Sequence, residues 1–130
     1  MVIRKNMTNE EIYMHATALN AAFEEMSNVV MPVKVHFYFQ KNMAHIISMA
    51  QDLEKARMDI MQKYGTLDEE THTYKFEEDK VAQANQDIID LFSVEQEVKI
   101  NTIPLEWLDN LELTAQQINA FSFMIADEEE

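Results

Sequence analysis

Apolar residues return every three or four positions between Pro32 and Gly65. Phe39, Met43, Ile46, Ala50, Leu53, Ile60 and Tyr64 make one stripe, with Arg57 the one residue out of place. That period belongs to a helix with a single buried face. Pro32 suits a first-turn position, where a missing N–H costs nothing, and Gly65 suits the residue just past a helix end. The pattern predicts one long helix over about 32–64, roughly 45–50 Å from end to end.

The flanking stretches follow the same logic. Residues 1–7 read as an extended arm, because Asn6 and Thr8 interrupt any helix. Thr8 with Glu11 makes a capping box, and Ile12, Ala16, Leu19, Phe23 and Met26 then continue at helical spacing to about Ser27. The short connection Asn28–Met31 predicts that this helix and the long one form an antiparallel hairpin, with the break just before Pro32. Beyond Gly65 the chain is polar and acidic, with a short strand predicted over 72–76. A third helix is predicted over about 77–92, burying Val81, Ala84, Ile88 and Leu91. Val94, Gln96, Val98 and Ile100 alternate with polar residues, the period of a half-buried strand. A lone strand leaves its backbone unpaired, so this one is expected against 72–76 or against a strand of another subunit. Pro104–Leu108 reads as one helical turn placing Trp107 and Leu108 on the core. A capping box of Thr114 and Gln117 opens a last helix through Ile118, Phe121, Met124 and Ile125. Residues 127–130 form an acidic tail. The expectation is a mainly α fold with minor β: a single domain over 1–130, a helical hairpin or bundle on one long helix, and a short two-stranded β element.

Composition strengthens that reading. One glycine and two prolines leave little material for the many turns of a sandwich or barrel. A hydrophobic fraction of 47 % is what a packed core requires. The chain has no cysteine, which excludes disulfides, zinc–thiolate sites and thiol chemistry. The N-terminus lacks the apolar core of a signal peptide, and Gln40, Lys41, Asn42 and His45 interrupt the best candidate for a membrane span. No membrane association is expected.

Charge divides the chain. Residues 1–66 hold seven basic and seven acidic side chains, whereas residues 67–130 hold three against seventeen, so the second half carries the whole net charge of −14. Phosphates would be repelled, so direct nucleic-acid binding is not expected. The acidic residues Asp68, Glu69, Glu70, Glu77, Glu78 and Asp79 are a candidate surface for a basic partner, or a solvated face that maintains solubility.

Candidate chemistry is sparse. A dinucleotide fingerprint or a phosphate-cradling loop needs two or three glycines and a nucleophile elbow needs two, where Gly65 stands alone. None of His15, His36, His45 and His72 has a Glu three residues before it, as a dinuclear carboxylate bundle demands. The acidic run 68–79 lacks the alternation and central glycine of a calcium loop. No catalytic residue, cofactor or metal is expected. Ten methionines lie mostly on or beside helix stripes, as gap fillers or as an adaptable surface. The long helix also carries Phe37, Tyr38, Ile47 and Met49 off its main stripe, more apolar surface than one hairpin partner covers. Either the later helices take this second face or another protein does.

The order of the pieces carries a resemblance. The Pro32-Val33-Lys34 lead-in, Glu54-Lys55-Ala56-Arg57 and Lys63-Tyr64-Gly65 at the long helix's end, Ile88-Ile89-Asp90-Leu91, Val98-Lys99-Ile100, Leu111-Glu112-Leu113-Thr114 and Phe123-Met124-Ile125 span about residues 12–126. This arrangement resembles a family of small, acidic, functionally uncharacterised proteins of tailed bacteriophages and prophages of Gram-positive bacteria. The resemblance implies a phage origin and brings no activity or catalytic residues. Small phage proteins of this kind are mostly morphogenesis components or host-directed inhibitors. The expected function is therefore non-enzymatic and exerted through protein–protein interaction. It is that of a self-associating structural or assembly accessory or, alternatively, of an acidic inhibitor occupying a basic site on a host protein. The partner is a protein, either a second copy or a host or phage protein, with a homo-oligomer as one expectation. The location the resemblance implies is the host cytoplasm, with association to a virion as a second expectation.

Overall fold

The computed structural model describes residues 1–26, 28–109 and 111–126. Its axis is helix α2, Val33–Tyr64, preceded by Pro32 in extended geometry at the cap. Pro32 thus sits one position outside the first turn. Val35, Phe39, Ile46, Ala50 and Leu53 form the buried stripe of α2, and Asn42 occupies the place expected for Met43, which is half-buried. Helix α1, Asn9–Glu25, opens with the Thr8–Glu11 capping box and buries Ile12, Ala16, Leu19 and Ala22. The two helices run antiparallel. Phe23 of α1 meets His36 near the start of α2 at 5.7 Å between rings, while Tyr13 shares a groove with Glu54.

The N-terminal arm is extended, but it is no appendage: Val2–Thr8 is strand β1. Two further strands follow α2 directly, β2 (Gly65–Asp68) and β3 (Thr73–Phe76), joined as an antiparallel hairpin with Gly65 opposite Phe76. Helix α3, Glu78–Ser93, leads into strand β4, Glu95–Asn101. Strand β4 pairs antiparallel with β1, Ile100 opposite Ile3 and Val98 opposite Lys5. The expectation that 94–101 would seek 72–76 or another subunit is thus corrected, since each strand finds its partner inside the chain. Val98 and Ile100 face the core, whereas Val94 and Gln96 are exposed; the Gln96 amide donates to Asn9 Oδ1 at 2.6 Å. Asn9 is buried and staples the start of α1 to the α3–β4 turn, its N–H donating to Val94 O (2.8 Å) and its Nδ2 to Leu91 O (2.7 Å). One of the carbonyls left open at a helix end is thereby satisfied.

The chain closes with β5 (Ile103–Pro104), a 3-10 turn over Leu105–Leu108, helix α4 (Ala115–Phe121), a second 3-10 turn and β6 (Ile125–Ala126), which pairs parallel with β5. Thr114 and Gln117 form the capping box of α4, as their spacing predicts. The last helix ends four residues before Ile125 and leaves Ile118 exposed; it buries Gln117 and Phe121, and Met124 reaches the core through the 3-10 turn that follows. Phe39 of α2 and Phe121 of α4 stack at 4.3 Å with ring planes 14° apart. Each large side chain withdrawn in this way contributes about 1.5–3 kcal/mol of transfer free energy. The architecture is mainly α with minor β. The acidic tail 127–130 and Ser27 lie outside the described residues.

Candidate functional site

The expected second apolar face of α2 is divided by the fold. Tyr38, Ile47 and Met49 are half-buried and pack against the core, and the Tyr38 ring meets Trp107 of the first 3-10 turn at 6.0 Å. Phe37 is 51 % exposed, its ring edge-on to that of Tyr38 at 5.6 Å and 5.8 Å from Lys41 Nζ. It lies on an outward stripe with Val33, Lys41, Ala44 and Ser48, all exposed, spaced three to four apart on the side of α2 opposite its buried residues. Val33 is 85 % exposed. No Asp or Glu stands between Met26 and Gln51 in a chain of net charge −14. Apolar periodicity passes over this stripe; the acid-free run is the feature of the sequence that marks it.

The acidic candidates gather at the other end of the long helix. Asp68 closes the β2–β3 hairpin: its carboxylate accepts from Glu70 N–H (3.0 Å) and from Lys75 Nζ (3.0 Å). Lys75 above all, with the turn's N–H groups, holds the Asp68 carboxyl below its usual range. His72 turns the hairpin at φ 57°, its N–H donating to Asp68 O at 2.8 Å. Glu69 and Glu70 sit exposed on this turn. Phe76 pairs with Gly65 at the end of α2, so the exposed Glu77, Glu78 and Asp79 that follow it stand beside the same helix terminus. Glu77 is the N-cap of α3, with Glu78 and Asp79 in its first turn, where negative charge complements the helix dipole.

Helix α3 carries the feature that periodicity misjudged. Of Val81, Ala84, Ile88 and Leu91, Ala84 alone is fully buried; Ile88 and Leu91 are half-buried. Val81 is 42 % and Ile89 61 % exposed. The helix rests on α2 and the start of α1 along a narrow line, with Tyr64 Oη donating to Asp87 at 2.7 Å and Phe92 edge-on to Tyr13 at 5.8 Å. Its apolar sector is wider than that line.

The histidines are dispersed. His15 is half-buried, its ring 4.3 Å from that of Phe123. Burial holds it below its ordinary pKa, Lys5 adds to this, and Glu11 opposes it. It borders a hollow of about 280 Å³ between α1 and α4, floored by alanines and edged by Glu25 and Gln116. Among the described residues no three His, Asp or Glu side chains are grouped to hold a metal ion, and no helix is long and apolar enough to cross a membrane. Comparison of the chain with known proteins finds no matching family model, no matching curated protein and no matching solved structure.

Proposed function

We propose that the protein acts without catalysis, as a self-associating structural or assembly accessory of a phage or prophage, in the host cytoplasm or on the virion. One observation carries the reading: the outward stripe of α2 exposes Val33 and Phe37 and is free of acid. Two copies of net charge −14 repel wherever their carboxylates would meet. The α2 stripe presents Val33 and Phe37 with Lys41 instead, and its small residues Ala44 and Ser48 let another helix come close. The phage assignment rests on the motif order from Pro32-Val33-Lys34 to Phe123-Met124-Ile125.

Light scattering after size exclusion, at low and high salt, tests it. A defined oligomer that persists at high salt is expected, and Phe37→Asp is expected to reduce it to the 15.2 kDa monomer. A wild-type monomer at high concentration would sink the reading. The exposed Glu69, Glu70, Glu77, Glu78 and Asp79 favour a second reading, an acidic inhibitor steered to a basic site on a host protein. That one loses its support if reversing the charges at Glu77, Glu78 and Asp79 leaves partner binding unchanged.

A further inference from the structure

Helix α3 presents a second apolar surface, of opposite electrostatic character to the α2 stripe. Val81, Ile88, Ile89 and Phe92 recur at i, i+7, i+8 and i+11, so they share one side of the helix. Two hollows flank Ile88. One, of about 360 Å³, is formed by Ile88, Ile89, Phe92 and Ser93 with Glu10 of α1. The other, of about 150 Å³, lies between Val81, Ala84 and Ile88 and the side chains of Met61 and Phe76. Glu77 and Glu78 stand at the start of this surface and Glu10 at its end. Arg57, the cation beside the smaller hollow, is held by Glu54 in a two-point ion pair, its Nε 3.0 Å from Oε2. The surface therefore has an apolar floor, broken by Asn85 beside the smaller hollow, and is negative at both ends.

We propose that this α3 surface receives the α2 stripe of a second copy, so that copies join head to tail. The inference rests on the self-association reading and specifies its geometry. Charge complementarity selects the occupant: the stripe offers Val33 and Phe37 as anchors, Lys41 as a cation with Lys34 beside it over the Trp107 ring, and no carboxylate from Met26 to Gln51. The apolar residues of α3, Val81 to Phe92, extend over about three helical turns, roughly 17 Å, and the stripe from Val33 to Ser48 over about four, roughly 23 Å, so the stripe is long enough to cover the α3 surface. The stripe occupies the first half of α2, whereas α3 packs near Arg57, Met61 and Tyr64 in its last turns. One molecule thus uses both surfaces at once. Head-to-tail contacts that no two-fold axis relates leave one stripe and one α3 surface open at the ends, so an assembly built on them grows into a ring or a filament. A symmetric α2-to-α2 contact would instead stop at a dimer and ignore α3.

Mixing two single variants decides between these arrangements. Phe37→Asp removes the anchor and keeps the α3 surface; Ile89→Asp removes the surface and keeps the anchor. Both positions are exposed, so circular dichroism and the urea midpoint are expected to stay at wild-type values. Light scattering at one fixed concentration is expected to show wild-type mass rising above a dimer. Each variant alone should be a monomer with association weakened at least tenfold, and their equimolar mixture a species of twice the monomer mass. Val81→Lys, which places the opposite charge on the same surface, should also be monomeric and also be complemented by Phe37→Asp. If Ile89→Asp and Val81→Lys keep the wild-type mass while Phe37→Asp does not, self-association through α2 stands and the head-to-tail arrangement is overturned. A mixture of monomeric variants that stays monomeric overturns it too. A monomeric wild type removes both readings.

Discussion

Asn42 lies in the middle of the buried stripe of α2, 2 % exposed, and is the most informative residue to remove. Its Nδ2 donates to Asn101 O at 2.8 Å and its Oδ1 accepts from Asn101 N–H at 2.8 Å. The amide thus satisfies both backbone groups of the last residue of β4 and ties the ribbon to the long helix. Asn42→Ala deletes both bonds and leaves two buried backbone groups without partners. Each such orphan costs about 1–3 kcal/mol, so a total near 3–5 kcal/mol is expected. A domain of this size has roughly 7–20 kcal/mol of stability in all, so the loss is a large fraction of it. Asn42→Leu refills the volume without restoring either bond, and separates the cavity from the hydrogen bonds. If the argument holds, Leu costs nearly as much as Ala. Urea unfolding followed by circular dichroism, with the slope unchanged, provides the measurement. Costs below about 1 kcal/mol for both variants would refute the reasoning, because water or a local shift would then be satisfying Asn101.

Two other expectations concern local chemistry. His15 is held below its ordinary value of 6.5 by burial, so protonation favours the unfolded chain. Its contribution is complete above that value and is lost as the pH falls below it. His15→Gln should therefore flatten the decline of the urea midpoint between about pH 7 and 5, and an unaltered slope would reject that role. At Gly65, an added Cβ would lie 2.8 Å from Phe76 Cε1 and 3.0 Å from Met61 O. Gly65→Ala is expected to cost about 1–3 kcal/mol in thermal unfolding, partly recovered by Phe76→Leu; a neutral result would mean that the hairpin shifts freely.

The parts of this fold that were legible in the sequence are those written locally. The boxes Thr8–Glu11 and Thr114–Gln117 each close within three residues, and the stripe of α2 repeats over a single helix. Capping and amphipathic period depend on neighbours three or four positions away, so the amino-acid order alone determines them. The candidate surfaces were half legible. Phe37 stays outside, but Tyr38, Ile47 and Met49 are drawn inward by Trp107, α1 and the core. The reverse happened at α3, whose apolar sector is ordinary in sequence and undercovered in space.

What tertiary structure alone decided are the long-range choices. Strand β4 shows its alternation in sequence, yet its partner is β1, more than ninety residues earlier at Val2–Asn101, and the spacing of side chains along a strand says nothing about which other strand it meets. Asn42 reads as an interruption of an apolar stripe until Asn101, 59 residues on, arrives beside it. Hydrogen-bond demand is a property of the buried group, but the residue that meets it is set by how the elements pack. Local periodicity and capping placed the helices and composition set the uneven charge, whereas packing decided where the last helix stops and which apolar faces are closed and which stay exposed.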